Sequence, residues 1–229
     1  QVLSAVAGIA ESAHKFANDL RLLQHLREIQ EPFEEGQVGS SAMAYKRNPM
    51  KSERMTSLAR FLLVLRQNSE FTAASQWFER TLDDSAGKRI AIPESFLAAD
   101  AILRLYHDVA SRLVVNPAVI EANVRRELPF VATENILMAG VKAGGDRQAL
   151  HEVIRRHSMA AAENVKAGRE NDLLERLEND GAFKGVGFKE LLRPERYIGR
   201  APSQVREFLR AEVNPVLRKH GKLLGWKAS

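Results

Sequence analysis

The stretch GSSAMAYKRNPMKSERM, from Gly39 to Met55, gathers three serines, an amide and four cations into seventeen residues. That set suits an anion. Gly39 permits close backbone approach, Ser40, Ser41 and Asn48 offer donors, and Lys46, Arg47, Lys51 and Arg54 bring positive charge. Asn48-Pro49 reads as an N-cap followed by proline at the first helical position. The polar groups therefore stand just before a helix N-terminus, whose free amides and dipole favour negative charge. A structural loop using its serines as local caps has a partly similar composition, so on the residues alone the two readings are balanced.

Other chemistry is narrowed by composition. The 229-residue chain contains no cysteine, which removes disulfides, thiolate metal sites and cysteine nucleophiles. Its six histidines, His14, His25, His107, His151, His157 and His220, form no ligand-spaced pair, so no metal is expected. The net charge of +5 is spread among acids, and only 7% of residues are aromatic. A nucleic-acid surface clusters its cations and interleaves aromatics, so nucleic acid is not an expected partner. No apolar run approaches the ~20 residues of a membrane span. The N-terminus enters helical periodicity at once, and the chain reads as part of a longer one.

The elements that must position the loop are helices. Val2, Val6, Ile9, Ala13, Phe16, Leu20 and Leu23 alternate spacings of four and three, predicting a bundle helix that Pro32 closes. Residues 31–48 carry no helical pattern, and a loop of that length in a compact helical protein is usually functional or disordered. A helix over about 49–66 follows, with Met55, Leu58, Leu62 and Leu65 on one face. Pro93 is expected to open the helix that ends near Val114. Asn116-Pro117 marks a boundary, beyond which the segments shorten: about 117–126, 132–143, 146–166, 170–177 and 202–220. The expectation is an all-α chain: 1–116 as part of a long-helix bundle carrying a signature loop at 36–49, and 117–229 as a smaller helical domain. Met138 and Met159 read as core filler, and Trp77 and Phe78 as packing a site wall.

The string SSAMAYKRNP resembles the signature Ser-Ser-x-Met-Pro-x-Lys-x-Asn-Pro of the fumarase/aspartase superfamily. The wider GSSAMAYKRNPMKSER is similar to the branch of that superfamily that cleaves adenylosuccinate. So are QWFERTLDDSA (76–86), LPFVATENILMAGVKAGGDRQ (128–148) and GRAPSQV (199–205). Ala44 departs from the signature, which has proline there; a stiff element is lost from the loop, but no catalytic group.

The resemblance implies a reversible β-elimination that releases fumarate, from adenylosuccinate to give AMP and from the carboxamide intermediate SAICAR to give AICAR, with no cofactor. It makes Ser40 the general base, with Ser41 as its rival, since the residues alone do not separate them. Lys46 is implied as a catalytic cation. Lys46 and Asn48 become ligands of the fumarate carboxylates, and Ser41 and Met43 part of the substrate-binding loop. Arg54, Arg80, Ser85 and Arg89 become phosphate ligands, a role that suits forked arginine donors. Each arginine has a plain alternative as a surface ion pair, Arg80 especially, beside Glu79 and Asp83. Glu53 is implied to orient a histidine, or is simply a first-turn acid favoured by the dipole. The general-acid histidine corresponds to none of the six present. A cytoplasmic homotetramer with active sites shared between subunits is implied. Two other readings stand beside it: another lyase of the superfamily, or a non-catalytic helical oligomer.

Overall fold

The computed structural model describes residues 1–34, 47–79 and 81–224. They fall into two compact units, Gln1–Ile120 and Glu121–Ser229, the division lying within one helix.

The first unit is built on three long helices, α1 (Val2–His25), α2 (Met50–Ser75) and α3 (Asp84–Ser111), each packed on the other two. On α1 the buried positions are Leu3, Val6, Ala7, Ala10, Ala13, Ala17, Leu20 and Gln24. The alanines are the contact line: with no side chain beyond Cβ they let helices approach closely, and larger groups flank them. The expected seam is thus corrected at four positions. Val2 is exposed, and Ile9, Phe16 and Leu23 are only half-buried. Phe16 stacks on Tyr106 with ring centroids 4.5 Å apart, tying α1 to α3. Met55, Ala59 and Leu62 of α2 meet Ala98, Ala99 and Ile102 of α3 in the same core.

Three boundaries differ from expectation. Helix α2 runs nine residues beyond 66. Pro93 lies inside α3 instead of opening it; it sits on the exposed face, where the amide it lacks costs least. A two-residue antiparallel pair, β1 (Ile29–Gln30) with β2 (Val114–Val115), ties the end of α1 to the end of α3. The chain is otherwise all-α, and no helix among the described residues is long and apolar enough to cross a membrane.

The second unit contains the rest of α4 (Pro117–Val131), then α5 (Thr133–Lys142), α6 (Arg147–Lys166), α7 (Leu173–Glu178) and α8 (Phe188–Leu191). Helix α4 continues past the expected end at 126, with Pro129 inside it. Its core joins Ile136, Leu137, Leu150, Ile154, Leu173, Leu177, Phe183 and Phe188. Asp146 caps α6 by accepting the Ala149 amide at 2.8 Å. His157 meets Asp180 at 2.9 Å, a structural pin between α6 and the turn after α7. Met138 and Met159 are exposed, not core. Beyond, α9 (Ala201–Phe208) and α10 (Asn214–Leu224) are joined by a π-helical turn at Leu209–Val213. Pro215 cannot donate to the ladder, and the wider turn just before it absorbs that gap.

Gly140 is held by close packing. A Cβ built there would lie 2.9 Å from Leu150 Cδ1 and 3.3 Å from Phe183 Cε1. Gly140→Ala is expected to destabilise the second unit by about 1–3 kcal/mol, the usual cost of overfilling a core, measured by urea unfolding.

Candidate functional site

Helix α1 ends in a left-handed residue, Arg27 (φ 61). Its amide donates to the Gln24 carbonyl at 3.0 Å and that of Glu28 to the Leu23 carbonyl at 2.9 Å. These are the two bonds of a Schellman cap, whose left-handed position is usually glycine. Asn116 holds the turn from the far side, its side-chain amide on the Arg27 carbonyl at 2.8 Å and its backbone amide on the Glu28 carbonyl at 2.9 Å. The side chain of Asn116 thus serves this turn rather than capping α4.

From that turn the chain enters a buried polar knot. Glu31, 4% exposed, accepts the Lys51 amide through Oε1 at 2.9 Å. Its Oε2 accepts the Ser52 amide and hydroxyl, each at 2.9 Å. Gln24, also buried, accepts the Glu31 amide and donates to the Arg47 carbonyl, both at 3.0 Å. The first turn of α2, expected from sequence to offer its amides to a substrate anion, therefore spends two of them on an internal carboxylate. The helix begins one residue later than expected, with Pro49 as N-cap. This knot fixes the backbone on which Arg47, Asn48 and Glu53 stand.

Outside it lies an ion cluster. Lys51 reaches Glu34 at 3.0 Å and Asp108 at 2.6 Å, and Arg112 reaches Glu34 at 2.7 Å and also pairs with Asp108. The hydrogen bond from Arg112, then that from Lys51, holds the Glu34 carboxyl down to about 2. Asp108 is lowered chiefly by its bond from Lys51. Carboxyls depressed by folding stabilise the protein above their unfolded pKa, and that contribution is lost as pH falls through the folded one. Wild type is accordingly expected to exceed Glu34→Gln in stability above about pH 4.5, the margin vanishing towards about pH 2. Urea titrations of both proteins across that window check it. Glu34 and Arg112 are about half exposed, so solvent screening keeps the margin small.

Beside the knot opens a cleft of about 1010 Å³ whose walls include Arg21, His25, Arg27, Arg47, Asn48 and Glu53. Two residues singled out in the sequence, Asn48 and Glu53, come together here. Arg54 follows Glu53 on the first turns of α2 and is exposed. Ser85 and Arg89 are elsewhere: Arg89 donates to Ser85 Oγ at 2.5 Å on the first turn of α3. That turn packs beside Asn68 of α2, whose side chain is the nearest group to Gly87. Fifteen residues of helix separate Asn68 from Glu53, about 22 Å. One chain thus carries two half-sets at distant points of the bundle. Trp77 and Phe78, expected in a site wall, are exposed. Ser40, Ser41, Met43, Lys46 and Arg80 lie outside the described residues.

The wall contributed by α1 was not anticipated. Its signal was present, since Asn18, Arg21 and His25 follow spacings of three and four and so form one polar face. Among the described residues no cluster of histidine and carboxylate could hold a metal.

Comparison with known proteins agrees with this architecture. Residues 129–208 match the family described as adenylosuccinate lyase C-terminus, and residues 1–62 the family described as lyase. The chain is 51% identical to the adenylosuccinate lyase of Saccharomyces cerevisiae over 97% of its length and 47% of the relative's. It is 48% identical to that of Schizosaccharomyces pombe over 94% of its length and 45% of the relative's. The crystal structure of a fumarate lyase from Mesorhizobium sp. BNC1 superposes with a TM-score of 0.73 at 22% identity, covering 92% of this chain and 46% of that one. The helical architecture and these matches define a member of the fumarase/aspartase superfamily of lyases. Within that superfamily the chain belongs with the adenylosuccinate lyases. It spans about half the length of the curated relatives it matches.

Proposed function

We propose that this chain is the C-terminal half of an adenylosuccinate lyase of cytoplasmic purine nucleotide synthesis. The enzyme eliminates fumarate from adenylosuccinate to give AMP and from SAICAR to give AICAR. The observation that carries this reading is the 51% identity over 97% of the chain to one such lyase. In this reading, 1–116 is part of the central bundle and 117–229 a small C-terminal domain.

The hard step is removal of a weakly acidic proton from the carbon beside a carboxylate. Ser40 takes that proton, the electron pair forms the new double bond, and the carbon–nitrogen bond breaks. A histidine from outside this chain protonates the departing nitrogen, and Glu53 orients it. Negative charge builds on the carboxylate, so Lys46 and Asn48 act by holding donors and charge where it develops. A serine hydroxyl is a poor base until ionised, which a cationic, water-excluding site favours. Met43 and Ser41 complete the dicarboxylate side; Arg54, Arg80, Ser85 and Arg89 hold the phosphate.

The separation of Asn48 and Glu53 from Ser85 and Arg89 within one chain supports a site assembled from several subunits of a homotetramer. Exposed apolar side chains on the three long helices, among them Leu22, Phe61, Val64, Phe96 and Leu103, supply surface for such a bundle.

The test is a substrate panel on the full-length protein. Fumarate release from adenylosuccinate and SAICAR, with none from argininosuccinate and no hydration of fumarate, is the expected outcome. Preference for argininosuccinate or fumarate would overturn the assignment.

A further inference from the structure

Among the described residues, several cations of this unit are held by carboxylates, whereas Arg54, Arg60 and Arg89 on the outer helix faces are not. Lys15, Lys51, Arg66, Lys88, Arg104 and Arg112 each lie within ion-pair distance of a carboxylate. Arg21, Arg27 and Arg47 have no carboxylate partner among the described residues, although all three line one cleft. Arg21 has a single long bond to Asn18 Oδ1 at 3.3 Å, and Arg47 stands over the Phe33 ring, 4.9 Å from its centroid. Among the described residues, the only acid on the walls is Glu53. Like charges gathered without counter-charges repel, and such a concave cationic patch concentrates anions.

Arg27 adds a second, independent observation. It holds a backbone conformation (φ 61) that glycine adopts without strain and that costs a side-chain-bearing residue free energy. Nothing in the Schellman cap requires a side chain there, since its bonds are all made by backbone and by Asn116. An arginine kept in a glycine's position, at the rim of a cleft of unpaired arginines, points to work done by its guanidinium.

We infer that Arg27, with Arg21 and Arg47, recognises the dicarboxylate end of the substrate and sets the preference for a doubly charged succinyl group. The inference rests on the proposed lyase function for the identity of the anion. It favours carboxylates over phosphate because Asn48 shares the cleft, whereas Ser85 and Arg89 lie about 22 Å away along the bundle and Arg54, though next to Glu53 in sequence, is not among the cleft walls. Guanidinium forks match a carboxylate in geometry as well as charge.

Arg27→Gly separates the roles, because it removes the charge and relieves the backbone at once. In the full-length protein it is expected to leave the thermal midpoint unchanged or raise it by about 1–2 °C. KM for adenylosuccinate is expected to rise about 5–20-fold with kcat within about threefold, within the span of one charged hydrogen bond. Calorimetric titration with fumarate weakens by the same factor, and titration with AMP does not change. Arg27→Lys keeps the charge and recovers most of the affinity without the gain in midpoint. If Arg27→Gly binds fumarate as wild type does, the inference fails; if it weakens AMP instead, the arginine serves the phosphate and the dicarboxylate assignment fails. Should wild type bind fumarate yet cleave neither purine substrate, the proposed function falls, and the fumarate titrations still decide this inference.

Discussion

Ser40→Ala in the full-length protein is expected to lower turnover by about 10²–10⁴-fold, the usual cost of losing a general base. AMP affinity should stay within about twofold, because the proposed nucleotide ligands are arginines and Ser85. The reasoning combines two levels. The resemblance assigns proton abstraction to the first serine of the signature. Among the described residues that flank it in sequence, Glu34 is bound by Lys51 and Arg112, and the stretch from Arg47 to Ser52 by Gln24 and Glu31. Steady-state fumarate release and AMP titration check this. Normal turnover by Ser40→Ala together with dead Ser41→Ala would move the base by one residue.

Arg89→Ala and Arg54→Ala are expected to raise KM by about tenfold or more. A hydrogen bond to a charged group contributes roughly 1.5–3 kcal/mol, and about 1.4 kcal/mol is a factor of ten. Arg89 is already drawn towards Ser85 by its bond at 2.5 Å, so the two present a paired donor set with little further ordering. AMP binding should weaken in parallel while fumarate binding is retained. Unchanged AMP binding by both variants would return these arginines to the helix surface. The distance between half-sets adds a consequence. Ser40 is close in sequence to Asn48, and Arg89 lies near the other end of α2. If the site is shared between subunits as proposed, co-assembled Ser40→Ala and Arg89→Ala chains should therefore release fumarate faster at low substrate than the two variants assayed separately.

What could be read from the sequence divides along physical lines. The long helices were legible because their apolar periodicity is strong, as was the break at Asn116-Pro117. The burial seam of α1 was not, because alanines define it and a hydrophobicity pattern gives weight to the larger residues beside them. Pro93 misled for a related reason: proline predicts an interruption, but three-helix packing carried α3 through it on the exposed face. The signature string was legible as chemistry, since its residue types are diagnostic without any geometry. The Glu31 knot was not, because a carboxylate that caps a helix twenty residues away leaves no local pattern. The same holds for Arg27, whose left-handed backbone is set by its cap and by Asn116, 89 residues further along the chain.

The central claim is that these 229 residues supply one half of a lyase whose active site needs groups from beyond them. The most direct measurement is fumarate release from adenylosuccinate by the purified chain, alone and after refolding with the N-terminal half of the same protein. The account predicts no release by the chain alone, because the general-acid histidine is not among its residues, and restored release in the mixture. Turnover by the isolated chain as a monomer would contradict both the shared site and the incomplete catalytic set.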